Sequence, residues 1–265
     1  MKNFLFAAFL LFQFIFFSCE DVIEIDLNTV KPKLVIEARL YDQVFPATVI
    51  LTKTNDFFDT LALNTVSDAE IYLQDNMGNS VQLIENDSIL GLYQADYFGV
   101  PGRIYTLTVN SEGETYTSSA EMKPSLTIDS VKAIYHTDAI PYFQEGYELR
   151  CYISDTPGIN EYCMLNIYKN FEKSYQIYLY EDSYTEGLSF EYRFYADNFM
   201  QGDTAIIEML TVDRSVYDYL YTYAEIASDY FQDSGTPYNP TSNISNGALG
   251  FFGVFSLTGA LIIIE

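Results

Sequence analysis

The feature that most constrains the fold of this 265-residue chain is a long succession of short segments in which apolar and polar residues alternate. Successive side chains of a β-strand point to opposite faces, so this alternation gives each strand one buried and one exposed face. Tyr, Thr, Val and Ile, which favour strands, are abundant in the segments. Turn signals separate many of them, most clearly Asp75-Asn76-Met77-Gly78-Asn79. The pattern predicts an all-β protein.

The segments fall into two groups, divided near Lys123-Pro124-Ser125, where a proline interrupts strand pairing. We predict an immunoglobulin- or fibronectin-like β-sandwich over residues 33–123 and a second β-sandwich-like domain over residues 124–265. The predicted strands of the first domain are 34–40, 48–54, 70–74, 80–84, 92–96, 104–109 and 115–121. Those of the second are 128–135, 147–154, 162–169, 175–180, 190–195, 205–212, 248–256 and 260–264.

One segment of the second domain has helical rather than strand periodicity. Val216, Leu220, Tyr223 and Ala227 recur at the spacing of one helix face, which predicts a helix over about residues 215–231. Asp213 precedes it at a position suited to an N-cap. A loop rich in Pro, Asn, Ser and Gly follows up to Gly247.

The first residues have the features of an export signal. Lys2 is followed by an apolar run to Phe17, then Ser18 and Cys19, which predicts a signal peptide over residues 1–18. The run is shorter than the roughly 20 residues that span a bilayer. The small residue before Cys19 resembles a bacterial lipobox, so we expect lipid on Cys19 and a tether over residues 19–32. The alternative is an ordinary signal peptide cleaved nearby, which leaves Cys19 as a thiol.

The strongly negative net charge of the chain argues against a nucleic-acid partner. The formal net charge is −24, and the acidic residues are scattered along the chain. Phosphate backbones would be repelled by such a protein, so we expect no nucleic-acid partner.

Two further cysteines would lie in an oxidising compartment if the chain is exported. A hairpin centred near Pro157 would place Cys151 opposite Cys163, close enough for a cross-strand disulfide. The alternative is a pair of buried free thiols.

The sequence contains no recognisable catalytic motif. It has a single histidine, His136, and lacks GxSxG, HExxH, P-loop, dinucleotide-binding and EF-hand patterns. We therefore expect no enzyme, no cofactor and no metal site, although calcium bound by loop oxygens stays open. Acidic pairs such as Glu181/Asp182 are interpreted as solvated charges.

Three segments, taken together, resemble a known family. They are Cys19–Leu27 with Pro32–Glu37, Ala47–Thr54, and Asn239–Gly253, which contains Asn-Ile-Ser-Asn-Gly and Gly-Phe-Phe-Gly. Their order and spacing are similar to those of domain-of-unknown-function family 4249, lipoproteins of Bacteroidota-type bacteria. The family has no established activity, so the resemblance implies no catalytic residue.

The resemblance does imply a location and a partner. It implies a palmitate-bearing outer-membrane lipoprotein that serves a TonB-dependent outer-membrane receptor in nutrient uptake. It also implies O-glycosylation at Asp-Ser/Thr-apolar triplets, which occur at Thr60, Ser88, Ser130 and Thr204.

We therefore expect a non-enzymatic accessory or scaffold lipoprotein that binds through loops. The Asp233–Gly247 loop is the leading candidate, with Tyr238, Asn239, Asn243 and Asn246 as binding residues. The main alternative is a structural or adhesive surface lipoprotein without a transporter partner. A hydrolase with an unfamiliar site is the third hypothesis.

Overall fold

Strands dominate the computed structural model of the protein. It describes residues 31–55, 64–137, 145–154, 160–182, 189–227 and 238–265. The strands within these ranges are β1 (Leu34–Tyr41), β2 (Ala47–Lys53), β3 (Asn64–Thr65), β4 (Glu70–Asp75), β5 (Ser80–Glu85), β6 (Leu92–Ala95), β7 (Ile104–Ser111), β8 (Glu114–Glu121), β9 (Thr127–His136), β10 (Gly146–Ser154), β11 (Tyr162–Lys169), β12 (Glu172–Lys173), β13 (Tyr178–Glu181), β14 (Phe190–Phe199), β15 (Thr204–Val212) and β16 (Leu249–Ile263). The same ranges contain one helix, α1, which spans Arg214–Ala227.

Most of the strands belong to one continuous ladder. Its order is β12-β11-β15-β16-β1-β2-β6-β5-β4-β7-β8, with β13 paired to β11 and β3 paired to β2. A separate three-stranded sheet has the order β14-β10-β9. The predicted all-β class with one helix and sandwich-like sheets is therefore confirmed.

The first core forms because the ladder folds back on itself. β1 alternates buried and half-buried residues along its length, and Ile36, Ala38 and Leu40 point inward. They share a cluster with residues of β4 and β7 such as Ile71 and Leu107. Strands on the two sides of the cluster thus belong to the same ladder, and burial of their inward faces provides the main driving force for the fold.

The second core lies between the three-stranded sheet and the other end of the ladder. Leu149 and Ile153 of β10 and Phe194 of β14 pack against Leu165 of β11 and Ile207 of β15. All five side chains are completely buried.

Strand β16 joins the two halves. Its first part pairs in parallel with β1, from Val35 opposite Leu249 to Tyr41 opposite Phe255. Its second part pairs in antiparallel with β15, up to Ile263 opposite Thr204. Phe252 consequently lies in the first core and Ile264, just after the strand, in the second. Residues 32–265 form one compact unit.

The structure differs from the prediction of two final strands over 248–256 and 260–264. The intervening residues Leu257, Thr258 and Gly259 pair with Leu210, Met209 and Glu208, so the strand continues through them. The strand changes partner there instead of ending. The first core also takes residues from the far end of the chain, since the loop before β16 contributes Ile244 and Ala248 and β16 contributes Phe252 and Val254. The predicted division at residue 123 stays a prediction.

The predicted hairpin that carries the two cysteines is wrong. β10 pairs with β9 and β14, whereas β11 pairs with β12, β13 and β15. Cys151 and Cys163 are therefore in different sheets, and both are buried free thiols in the second core. Burial raises the pKa of the Cys151 thiol to about 12 and raises that of Cys163 as well.

Helix α1 covers the outer face of the ladder. The Asp213 carboxylate accepts a hydrogen bond from the Val216 backbone amide at 3.0 Å, which makes it the N-cap that the sequence predicts. Val216 and Leu220 pack with Phe251 and Phe255 of β16 in a third apolar cluster. This packing leaves the rest of the outer face open beside the helix.

Candidate functional site

A groove runs along the outer face of the ladder beside α1. Its floor is formed by alternate residues of β1 and β16, its wall by α1, and its far side by the chain around Lys173–Ile177. One cavity of about 500 Å³ adjoins another of about 370 Å³, and the two share Arg39, Tyr41 and Lys173. Volumes of this size match those of small-molecule sites, which span roughly 300–1,000 Å³.

The pairing register of β1 and β16 determines which side chains form the floor of the groove. Glu37, Arg39 and Tyr41 alternate with the inward residues of β1, so all three project to the outer face. Parallel pairing places Glu37 beside Phe251 and Tyr41 beside Phe255. A charged pair and an aromatic surface are thereby brought together.

Arg39 is held in place from two sides. Its terminal nitrogen donates to Glu37 Oε2 at 3.0 Å, and its guanidinium lies 5.1 Å from the centroid of the Phe251 ring. A cation at this distance from a ring face is attracted to it. These two contacts hold the guanidinium at the groove, which Arg39 lines.

Aromatic rings form the apolar walls. Tyr41 stacks on Phe255 with ring centroids 5.1 Å apart, and Tyr219 contacts Phe251 at 4.7 Å. Tyr223 lies one turn along α1, nearly parallel to Tyr219. Burial raises the pKa of Tyr41, with an opposing effect of Arg39, so its phenol stays protonated and able to donate.

At the polar end of the groove, the Glu208 carboxylate already accepts hydrogen bonds from the protein. Glu208 accepts a hydrogen bond from the Tyr168 hydroxyl at 2.7 Å and a longer one from the Asn166 amide at 3.5 Å. Burial, and then Glu208, raise the pKa of Tyr168. This carboxylate is therefore tied to protein donors.

The loop residue Asn243, a predicted binding residue, has its side chain engaged within the fold. Its Oδ1 accepts from the Phe252 amide and its Nδ2 donates to the Phe252 carbonyl, both at 2.9 Å. Nδ2 also donates to Ser215 Oγ at 3.1 Å, at the start of α1. Asn243 thus ties the loop to β16 and α1, and its amide is not available to a ligand.

The other candidates of the loop differ in exposure. Asn246 has φ of 58° and donates to Glu114 at 3.1 Å, while the neighbouring Ser245 bonds to Thr117 of the edge strand β8. Tyr238 is 55% exposed, and its hydroxyl donates to Glu225 at 3.3 Å. Asn239 is exposed. Binding through Tyr238 and Asn239 stays a prediction.

The single histidine belongs to a charged network on β9 and β10. His136 Nε2 lies 2.8 Å from Glu148 Oε2, which also accepts from Arg150 at 2.9 Å. Burial alone would raise the pKa of Glu148, but these hydrogen bonds outweigh it and the net pKa is lowered. The described residues contain no group of three or more His, Cys, Asp or Glu placed to hold a metal ion.

The modification candidates are placed as follows. Ser88 is exposed in the loop between β5 and β6, Ser130 is exposed on β9, and Thr204 is half-buried at the start of β15. The signal peptide, Cys19 and Thr60 lie outside the described residues. Within the part that the structure does describe, no helix has the length and apolarity needed to cross a bilayer.

The prediction from sequence missed the groove because its residues are distant in the chain. The alternation Glu37-Arg39-Tyr41 shows that β1 has a charged and aromatic outer face. The spacing of Tyr219 and Tyr223 likewise shows that two rings share a helix face. Only the parallel pairing of β1 with β16 brings these signals together.

A match to a protein-family model shows which family this chain belongs to. The model described as a domain of unknown function, DUF4249, matches residues 20–259. This chain belongs to the DUF4249 family. The match includes Asn243 and Phe252, whose side-chain and backbone groups fasten the loop of this DUF4249 protein to its last strand. No curated protein matches the chain.

The solved structures that match the DUF4249 chain have low sequence identity to it and low TM-scores. A two-domain fibronectin type III segment of chicken tenascin is 8% identical, with coverage of 87% of this chain and 98% of that chain and a TM-score of 0.24. A cytokine receptor complex is 6% identical, with coverage of 87% and 95% and a TM-score of 0.26. A pullulanase from an Anoxybacillus species is 12% identical, with coverage of 66% and 24% and a TM-score of 0.21.

Proposed function

We propose that this DUF4249 protein is a non-enzymatic binding component of the cell envelope. It is exported, held at the outer membrane by lipid on Cys19, and works beside a TonB-dependent outer-membrane receptor in nutrient uptake. The observation that carries the binding role is the groove between β1, β16 and α1, a concave surface with aromatic walls and a few fixed polar groups.

The acidic surface supports a role in recognition of something other than nucleic acid. A net charge of −24 disfavours phosphate backbones and membrane surfaces rich in anionic lipid. Attachment by acyl chains requires no such attraction, because each buried methylene contributes about 0.8 kcal/mol. A lipid on Cys19 would hold the acidic domain near the membrane in spite of its charge.

The receptor is tested by purification of the tagged protein from outer membranes in mild detergent, with mass spectrometry of the proteins that accompany it. We expect a TonB-dependent barrel in near-equal amount. The matched control is Cys19→Ala, which removes the lipid site and leaves the residues of the groove unchanged. We expect this variant to leave the membrane fraction and to lose the barrel.

Two results would contradict the proposal in different ways. A wild-type protein that is purified alone contradicts the receptor and supports the structural or adhesive alternative. A wild-type protein whose intact mass lacks acyl chains on Cys19 contradicts the lipid anchor.

A further inference from the structure

The centre of the groove contains two cationic side chains with unused donors. Arg39 projects from β1, and Lys173 ends β12 on the far side; both line both adjoining cavities. Among the described residues, the Arg39 side chain makes one hydrogen bond, to Glu37, and the Lys173 side chain makes none. A guanidinium has five N–H donors in a planar fork, so most of those on Arg39 are free for a ligand.

The carboxylates of the groove are committed to protein donors. Glu37 accepts from Arg39, and Glu208 accepts from Tyr168. Each cavity is lined by both cations and by one of these two acids. Because the two cavities share the cations, the groove as a whole is formally neutral, in a protein whose total charge is −24.

Aromatic rings form much of the remaining surface of the larger cavity. The Arg39 guanidinium lies over the Phe251 ring, Tyr219 packs against Phe251, and Tyr41 stacks on Phe255. A planar fork beside an apolar wall is suited to a carboxylate attached to a ring or a short apolar body. The cavity of about 500 Å³ accommodates a small molecule of this kind and is too small for a folded partner.

We infer that the groove binds a small amphipathic carboxylate, with its carboxylate on Arg39 and Lys173 and its apolar body against the aromatic walls. This inference rests on the proposed binding role and names the chemical class of the ligand. It requires no covalent step.

The test uses three probes that share one ring and differ in one group: 3-phenylpropionate, 3-phenylpropan-1-ol and 3-phenylpropylamine. Each is titrated calorimetrically into the purified full-length protein. We expect the carboxylate to bind at least about tenfold more tightly than the alcohol, since charge-assisted hydrogen bonds are stronger than neutral ones. We expect the amine to bind more weakly than the alcohol.

Variants assign this preference to the two cations. We expect Arg39→Gln and Lys173→Gln each to lower the affinity for the carboxylate about tenfold while the affinity for the alcohol is unchanged. Arg214→Gln and Lys53→Gln remove a cation of the same type outside the groove and should leave all three affinities unchanged. Lys173 is exposed, so its variant remains informative even if Arg39→Gln unfolds, which a thermal melt detects.

Three results would overturn the inference: equal binding of carboxylate and alcohol, no binding of any probe at millimolar concentration, or carboxylate affinities unaffected by both groove variants. The two proposals can fail separately. A protein that accompanies the barrel but does not prefer the carboxylate refutes the ligand class alone. A protein that prefers the carboxylate but is purified alone refutes the receptor alone.

Discussion

Asp75 shows how a single carboxylate can organise a turn. Its Oδ1 accepts hydrogen bonds from the backbone amides of Met77 and Asn79 at 3.0 and 2.8 Å, and its Oδ2 accepts from the Asn79 side chain at 2.7 Å. Arg103 adds an ion pair at 2.7 Å. The Asn79 side chain, followed by the Asn79 amide and Arg103, lowers the pKa of Asp75 to about 2. The β4–β5 hairpin is therefore stabilised by the ionised form.

This lowered pKa predicts a pH dependence of stability. The stabilisation by Asp75 is fully present above the unfolded-state pKa of 3.8 and is lost as the pH falls through about 2. We expect Asp75→Asn to lower the urea midpoint at pH 7 and to differ little from wild type at pH 2. Urea unfolding followed by circular dichroism measures both.

Asp87→Asn is the control, since Asp87 lies exposed in the loop between β5 and β6. It should leave the midpoint unchanged at pH 7. A destabilisation of Asp75→Asn that is the same at both pH values would show that the charge of Asp75 has no part in the stability.

At the scale of elements, the contact between β1 and β16 requires glycine. Gly250 has φ of 92°, and a Cβ at this position would overlap the carbonyl oxygen of Ile36 on the paired strand. Gly78 has a nearly equal φ of 90°, but a Cβ there would meet no atom within 4 Å. The two positions share backbone strain, and only one of them also has a steric clash.

Substitution of each glycine by alanine should distinguish the cost of backbone strain from the cost of the steric clash. We expect Gly78→Ala to lower the free energy of unfolding by about 1 kcal/mol, the cost of a left-handed conformation for a residue with a side chain. We expect Gly250→Ala to cost about 3 kcal/mol, because the two strands must also move apart. Urea unfolding curves give both values, and equal losses would contradict a clash with Ile36.

Elements with local signals were predictable from the sequence, and elements defined by distant partners were not. β11 coincides with its predicted range 162–169, and the helix was anticipated from the Val216 and Leu220 spacing with Asp213 as cap. The pairing of β16 with β1 joins residues more than 200 positions apart, and no local pattern encodes it. For the same reason the groove was missed, and Cys151 and Cys163 were assigned to one hairpin although their strands belong to different sheets.

At the scale of the whole molecule, the two cores that lie between sheets in the described part of the chain both depend on one strand, β16. Ile36 and Leu40 of β1 share the first core with Phe252 and Val254, which come from the far end of the chain. Removal of β16 would expose apolar surface on both halves and leave one side of β1 without its hydrogen-bond partner. The two sandwiches should therefore unfold together.

A fragment of residues 33–123 tests this dependence. We expect it to lack a cooperative thermal transition, because the parallel partner of β1 and the side chains of Phe252 and Val254 are missing. A longer chain of residues 33–265 should melt in a single transition. Circular dichroism melts of the two proteins provide the comparison, and a cooperative transition in the short fragment would establish an autonomous first domain.

The pairing of β1 with β16 also governs when the fold can be completed. Synthesis proceeds from the N-terminus, so β1 leaves the ribosome long before the strand that it needs. Contacts of such high sequence separation form slowly, since a loop of almost the entire chain must close before they form. Until the last residues are made, β1 lacks its parallel partner and the first core lacks Phe252 and Val254, so the fold cannot be completed during synthesis of the earlier residues.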